Sequence, residues 1–375
     1  MMDAVRIVAE LRACASRAGL TGLAIGPARP LEEAARRLRE RVAKGFAGHY
    51  GLTEGSEERF CRPDTLLPGA KSVICCALSY LRPSEPPAPP PGSLSGVIAR
   101  FARGRDYHLV MREKLSVVEA RLKELVPGCA TRILCDTGPL MDRAAALASG
   151  LAWAGKNACV FTGEAGSWVV LGEIVTDVEL PFDEPSPDHR CGSCELCLAA
   201  CPTGAIVSPF EIDLNRCISH LTQMSGIIPR ELRPLMGTMI YGCDICQEVC
   251  PQNAAAVPGD PSHFEPGPVP AFPDLIRLLE MTQAEFETSL KEGSPGWIGR
   301  NRLRRNACVA LGNIGDPSAV PVLLKALHDP STVVRAHAAW ALGRIGDPRG
   351  LEILQKRLTR EPDPDVLEEI RAALG

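Results

Sequence analysis

Residues 191–202 read Cys191-Gly-Ser-Cys194-Glu-Leu-Cys197-Leu-Ala-Ala-Cys201-Pro202, a C-x2-C-x2-C-x3-C-P run. Three thiolates this close together wrap one iron–sulfur cubane, and the fourth, carried away by a chain-turning proline, reaches a second one. A second run, Cys243-Asp-Ile-Cys246-Gln-Glu-Val-Cys250-Pro251, is one thiol short, and Cys217 between the runs supplies it. The spacing therefore predicts two sets of ligands. Cys191, Cys194, Cys197 and Cys250 hold one 4Fe-4S cluster, and Cys201, Cys217, Cys243 and Cys246 hold the other. All-thiolate tetrahedra also suit zinc, but reciprocal exchange of the fourth ligand across two C-P endings is an iron–sulfur pattern. Two such clusters move electrons without choosing a substrate.

Sixteen cysteines in 375 residues leave eight more, at positions 14, 61, 75, 76, 129, 135, 159 and 308. They show no ligand spacing and read as small buried apolar residues. With 41 basic against 45 acidic residues the net charge is -4, which excludes a globally basic nucleic-acid binder but not a local patch. No signal-peptide layout opens the chain and no run of about 18 apolar residues occurs, so a cytoplasmic protein with reduced thiols and no membrane span is expected. Neither a G-x-G-x-x-G after a strand nor a Walker A sequence is present, so no nucleotide-phosphate cradle is expected.

The elements that must position these residues begin with a helix over 3–18 and a second starting near Pro30 through Glu32 to Lys44. Ser72 to Leu78 is a strand-length apolar run, and the proline-rich stretch 83–91 is an extended loop. Helical spacing returns from Tyr107 to Leu125. A strand from Arg132 to Cys135 leads into Asp136-Thr137-Gly138-Pro139 and a helix from Met141 to Leu151. Trp168 to Leu180 is β-branched and reads as a strand pair or one long strand. Strands and helices without a regular alternation point to an α+β domain over 1–180. Residues 181–265 form a bacterial ferredoxin-like two-cluster domain, and 266–375 an α-helical repeat domain. In that last segment Ala310-Leu-Gly-Asn-Ile-Gly-Asp-Pro317 recurs 31 residues later as Ala341 to Pro348, and a third copy ends at Gly375, a HEAT-like pattern.

In this order the segments resemble the epoxyqueuosine reductase family. The resemblance is carried by Arg62-Pro63, Leu66 to Ala70, Gly104-Arg-Asp-Tyr-His108, Asp136 to Pro139, and Trp153-Ala-Gly-Lys-Asn157. It continues through Gly166-Ser167, Leu171-Gly-Glu173, the cysteine runs, and Arg233 to Gly237 ahead of Tyr241-Gly-Cys-Asp244. It implies a cobalamin-binding α+β domain related to that of reductive dehalogenases. It also implies reductive removal of the epoxide oxygen of epoxyqueuosine at the tRNA wobble position, the last step of queuosine biosynthesis. Electrons from an external donor would pass through the clusters to the cobalt of the corrinoid. Asp136 matches the family's proton donor and a cobalamin contact, and burial would have to raise its pKa for it to hold a proton at neutral pH. Arg62, Tyr107, His108, Lys156, Asn157, Ser167 and Ser219 lie in matching segments and are the remaining expected cobalamin contacts. The segment Asp106-Tyr-His-Leu-Val-Met111 lacks the glycine of the D-x-H-x-x-G motif, so a histidine ligand to cobalt is not expected.

For the tRNA, the sequence offers Arg300, Arg302, Arg304 and Arg305, since no acidic residue occurs between Trp297 and Gly315. Arginines contact phosphates without reading sequence. A monomer is expected. The competing reading is a non-catalytic iron–sulfur electron-transfer protein whose HEAT-like end docks a partner.

Overall fold

The computed structural model describes every residue except 1–2, 49–50, 186–188 and 266. The chain gathers into two compact units, each assembled from three stretches: residues 1–85, 106–215 and 245–266 in the first, and 86–105, 216–244 and 267–375 in the second.

In the first unit, α1 (Ala4–Arg17) starts where the Asp3 carboxylate accepts the Val5 N–H, and its face of Ile7, Val8, Leu11, Cys14 and Ala15 is buried. β1 (Gly22–Pro27) follows, then α2 (Glu32–Ala43). Leu31 takes the cap position, so Pro30 precedes this helix instead of lying in its first turn. β2 (Ser72–Ser79) is buried at all eight positions. α3 (Tyr107–Leu125) matches its predicted bounds, capped by the Asp106 carboxylate on the His108 N–H. β3 (Thr131–Leu134) lies one residue earlier than its pattern, and α4 (Asp142–Ala148) is shorter than its own. The 168–180 stretch gives one strand, β4 (Val169–Thr176), which ends where the Asp177 carboxylate turns to the Ala130 N–H.

These strands form an antiparallel sheet in the order β1-β2-β4-β3. α1 and α3 pack together, with α3 against β4. α4 packs near β1, β2 and β4, over a core of Val73, Cys75, Ala77, Leu134, Leu171 and Val175. The Asp136 turn thus sits where β3 ends and α4 begins. A short helix, α5 (Leu196–Ala200), carries Cys197.

In the second unit, α6 (Ile218–Gln223) and the strand β5 (Met239–Tyr241), which pairs in parallel with Val97–Ile98, stand beside a helical array. The array comprises α7 (Gly299–Ile314), α8 (Val320–Ala326), α9 (Thr332–Ile345), α10 (Pro348–Arg357) and α11 (Pro364–Leu374). The 31-residue repeat is visible in its contacts. Gly312 lets α7 approach α9 so closely that a Cβ there would lie 2.7 Å from the Trp340 ring, and Gly343 does the same for α9 against Ala373. The fully buried Arg233 guanidinium donates to both oxygens of Glu369, at 2.7 and 2.8 Å, and so ties the 216–244 stretch to the last helix.

Candidate functional site

Cys191, Cys194, Cys197 and Cys250 line one hollow in the first unit, together with Lys156, Asn157 and Phe161. The chain turns there because the Cys194 N–H bonds the Cys191 carbonyl and Pro251 breaks the segment after Cys250. No three acidic, histidine or cysteine side chains among the described residues converge tightly enough for a single ion. The four thiols surround a space instead, as a cubane wider than one ion requires. Burial pushes the thiols of Cys197 and Cys250 up, and neighbouring Cys191 adds to both, so a positive charge beside them would be needed to keep them as thiolates. The backbone N–H of Lys156 points at the Cys191 sulfur at 3.5 Å, and the Asn157 side chain donates to the Cys246 carbonyl at 3.2 Å. Cys201 receives the Ala205 N–H at 3.3 Å. Cys201 and Cys246 belong to the first unit, and Cys217 and Cys243 to the second. Of the eight cysteines read as packing residues, 14, 61, 75, 76, 135 and 308 are buried, and 129 and 159 are half-buried.

A second cluster lies at the N-terminus of α3. Asp136 has φ +50°, and a three-residue turn around it is closed by the Thr137 N–H on the Cys135 carbonyl at 2.6 Å. This backbone turns its side chain to α3, where Oδ2 accepts the Tyr107 hydroxyl at 2.6 Å and meets His108 Nε2 at 3.2 Å. His108 Nδ1 reaches Asp106 at 2.7 Å, so both ring nitrogens face carboxylates. Burial by itself would depress the His108 pKa, but Asp106 and Asp136 outweigh it and lift it to about 9. The imidazole is therefore protonated at neutral pH. For Asp136, burial acts upward, yet the bonds from His108 and Tyr107 and the charge of Arg143 hold its carboxyl below the usual carboxylate range. Burial alone would raise the Asp136 pKa, as holding a proton at neutral pH requires, but in this arrangement its neighbours decide the sign, and the proton resides on His108.

Each of the other expected cobalamin contacts has neighbours of its own within the chain. Arg62 is ion-paired to Asp64 at 2.8 Å and Glu58 at 3.1 Å. Lys156 and Asn157 stand at the first cysteine set. Ser167 accepts from the side-chain amides of Gln247 and Asn253. Ser219 belongs to the second unit, where it accepts from Gln223.

The arginine segment is corrected too. Arg305 is fully buried and donates to the carbonyls of Leu221, Thr222, Met224 and Gly226. Arg304 is buried against Asp329 at 2.5 Å and the Leu279 carbonyl. Neither can reach a phosphate. Arg300 and Arg302 are half-buried and hold the carbonyls of Met281 and Gln223, with the Arg302 guanidinium also over the Trp297 ring. A stretch without acids reads as a phosphate-binding patch, but α7 packs against α9 and turns Arg304 and Arg305 inward.

Sequence reasoning missed Asp106, Asp142 and Glu173. Glu173 had a signal: it is the only charged side chain of the β4 run Val169–Thr176, at an alternate position with Leu171 and Val175.

Comparison with known families matches residues 61–137 to "Epoxyqueuosine reductase QueG, DUF1730", residues 190–253 to "4Fe-4S double cluster binding domain" and residues 300–375 to "HEAT repeats". The chain is 38% identical to an epoxyqueuosine reductase of Bacillus cereus over 377 residues, covering 100% of this chain and 98% of that protein. A crystal structure of selenomethionine-labelled epoxyqueuosine reductase superimposes with a TM-score of 0.93 at 38% identity, covering 99% of each chain. A second, of epoxyqueuosine reductase with an epoxyqueuosine-modified tRNA-Tyr stem loop, superimposes with a TM-score of 0.91 at 37% identity, again over 99% of each. Among the described residues no helix is long and apolar enough to cross a membrane.

Proposed function

Because the chain belongs to the epoxyqueuosine reductase family, we propose that it removes the epoxide oxygen of epoxyqueuosine at the wobble position of tRNA with Asp136 as the terminal proton donor. Membership in a family of reductases sets aside the reading as a non-catalytic electron carrier. The reaction consumes two electrons and two protons, breaks both C–O bonds of the epoxide, and yields the alkene and water. Two 4Fe-4S clusters, loaded by an external donor, and a corrinoid would supply those electrons at cobalt one at a time.

The donor sets suit these groups. Cys191, Cys194, Cys197 and Cys250 ring one hollow, and Cys201, Cys217, Cys243 and Cys246 are assigned to the second cluster. His108, protonated and held between two carboxylates, has no lone pair to offer cobalt, which fits a corrinoid carried without a histidine ligand from the protein. The Tyr107 hydroxyl, together with Arg62, Lys156, Asn157, Ser167 and Ser219, remains the candidate set for the amide and phosphate groups of that cofactor.

The chain's own part is the proton. A departing epoxide oxygen is a poor alkoxide unless protonated as the bond breaks. His108 stores the proton at neutral pH and Asp136 Oδ2 stands 3.2 Å from it. Both described bonds to the Asp136 carboxyl fall on Oδ2, the oxygen that takes the proton from His108 and would pass it to the departing oxygen. Of the arginine segment, Arg300 and Arg302 keep solvent-facing surface for tRNA phosphates. Residues 1–180 take the cofactor and substrate, 181–265 the clusters and 266–375 the helical surface.

The observation that carries this reading is the Tyr107–Asp136–His108 arrangement on a chain of this family. Anaerobic reconstitution with iron, sulfide and cobalamin, then nucleoside mass spectrometry of epoxyqueuosine-containing tRNA, tests it. Conversion to queuosine by the wild type and not by Asp136→Asn is expected. Normal conversion by Asp136→Asn removes the residue from its role.

A further inference from the structure

Behind the Asp136 turn lies a buried acid that the proton transfer does not use. Glu173 is on β4, paired across the sheet with Cys75 on one side and Leu134 on the other, and is fully buried. Its neighbours on that face are Leu171 and Val175; neither of its carboxyl oxygens meets a donor, and the polar side chain within hydrogen-bonding reach is the carboxyl of Asp142. The titratable groups around it are acids or thiols: Asp142 at the start of α4, Asp136, Cys75 and Cys76 on β2, and Cys135 after β3. Cations act farther out, with Arg112 bearing on Cys135. Arg143 bears on Asp142 and Asp136 while its guanidinium donates to the Ala158 carbonyl, and His108 bears on Asp136. An unpaired carboxylate in an apolar layer takes up a proton in preference to remaining charged.

Asp142 links this acid to the turn. Its Oδ2 accepts the Asp136 N–H at 2.8 Å, while its Oδ1 is buried and unpartnered. Asp136 holds a φ that non-glycine residues rarely adopt, so its conformation depends on being tied down.

We propose that Glu173 and Asp142 are positioning residues, a carboxyl pair sharing one proton that holds the Asp136 turn in place, and that loss of this proton releases the turn. One proton suffices because a neutral Glu173 can donate to Asp142 Oδ1 while Asp142 Oδ2 keeps the backbone N–H. Burial drives the carboxyl of Glu173 well up, and burial with the charge of Asp136 lifts that of Asp142 to about 7. Without the shared proton, negative charge stands on Glu173, Asp142 and Asp136 together. The pair's importance for turnover rests on the role given to Asp136, but its effect on the turn does not.

The test uses the full-length, cluster-reconstituted protein without turnover. Infrared difference spectra of the wild type at neutral pH should show the carbonyl band of a protonated carboxyl, absent from Glu173→Gln. Amide hydrogen exchange across residues 135–141, normalised to α3, should accelerate with rising pH in the wild type by about tenfold per unit once the pair ionises. In Glu173→Gln, which keeps a neutral donor, that acceleration should vanish, and in Asp142→Ala exchange should be fast at every pH. Absence of the infrared band from the wild type overturns the proposal even if the variants fail to fold. The same pH profile in the wild type and Glu173→Gln also overturns it. If exchange behaves as expected but Asp136→Asn still turns over, the pair stands and the role of Asp136 in the reaction falls.

Discussion

Replacing Arg305 by methionine separates two meanings of the same arginine. Its guanidinium donates to the buried carbonyl oxygens of Leu221, Thr222 and Met224 and to that of Gly226 near the surface, and its Nε donates to Asn306. Methionine preserves most of the stem's volume, so the loss is polar rather than a cavity. The Thr222 carbonyl keeps the Asn306 amide and that of Gly226 can turn to water, so Leu221 and Met224 are orphaned, at about 2 kcal/mol each a cost of about 4 kcal/mol. Removing a cation buried without a carboxylate returns part of this, leaving about 3 kcal/mol. For a unit of this size that is a fall in Tm of roughly 6–12 °C, readable by circular dichroism. A phosphate-binding Arg305 would behave differently: stability would hold, tRNA affinity would drop, and the salt slope of binding would fall by about one. Unchanged melting together with that reduced slope would refute the structural assignment.

Cys250→Ser should halve the iron content from eight to four per chain on reconstitution, and Cys217→Ser should do the same through the other set; full iron retention in either overturns the ligand assignment. His108→Ala should remove a pH-dependent contribution to stability. Because the folded pKa of His108 is raised from 6.5 to about 9, that contribution is fully present below pH 6.5 and lost as pH rises through about 9. Allowing for the exposure of Asp136, it amounts to about 1–2 kcal/mol, measurable as denaturation midpoints across pH 6–10. Gly312→Ala should cost about 1–3 kcal/mol by forcing α7 off Trp340 and Ala341, and an unchanged midpoint would show that the helices are not in that contact.

Much of this protein is written locally. The thiols of a cluster are specified by residue type and by separations of two or three positions, which survive whatever the rest of the chain does, so the sequence alone names them. The 31-residue repeat and the bounds of α3 are legible for the same reason: helical periodicity and caps are properties of neighbours. The tertiary structure decided the charged groups. Arg304 and Arg305 look like a basic surface until residues 81 and 84 positions away along the chain supply the carbonyls that Arg305 serves. Asp136 looks like an acid awaiting burial until Tyr107 and His108 close on it from α3. Glu173 is an anomaly in a strand until Asp142 stands beside it. A side chain's charge state depends on the partners and solvent around it, and those are set by which distant segments the fold brings together.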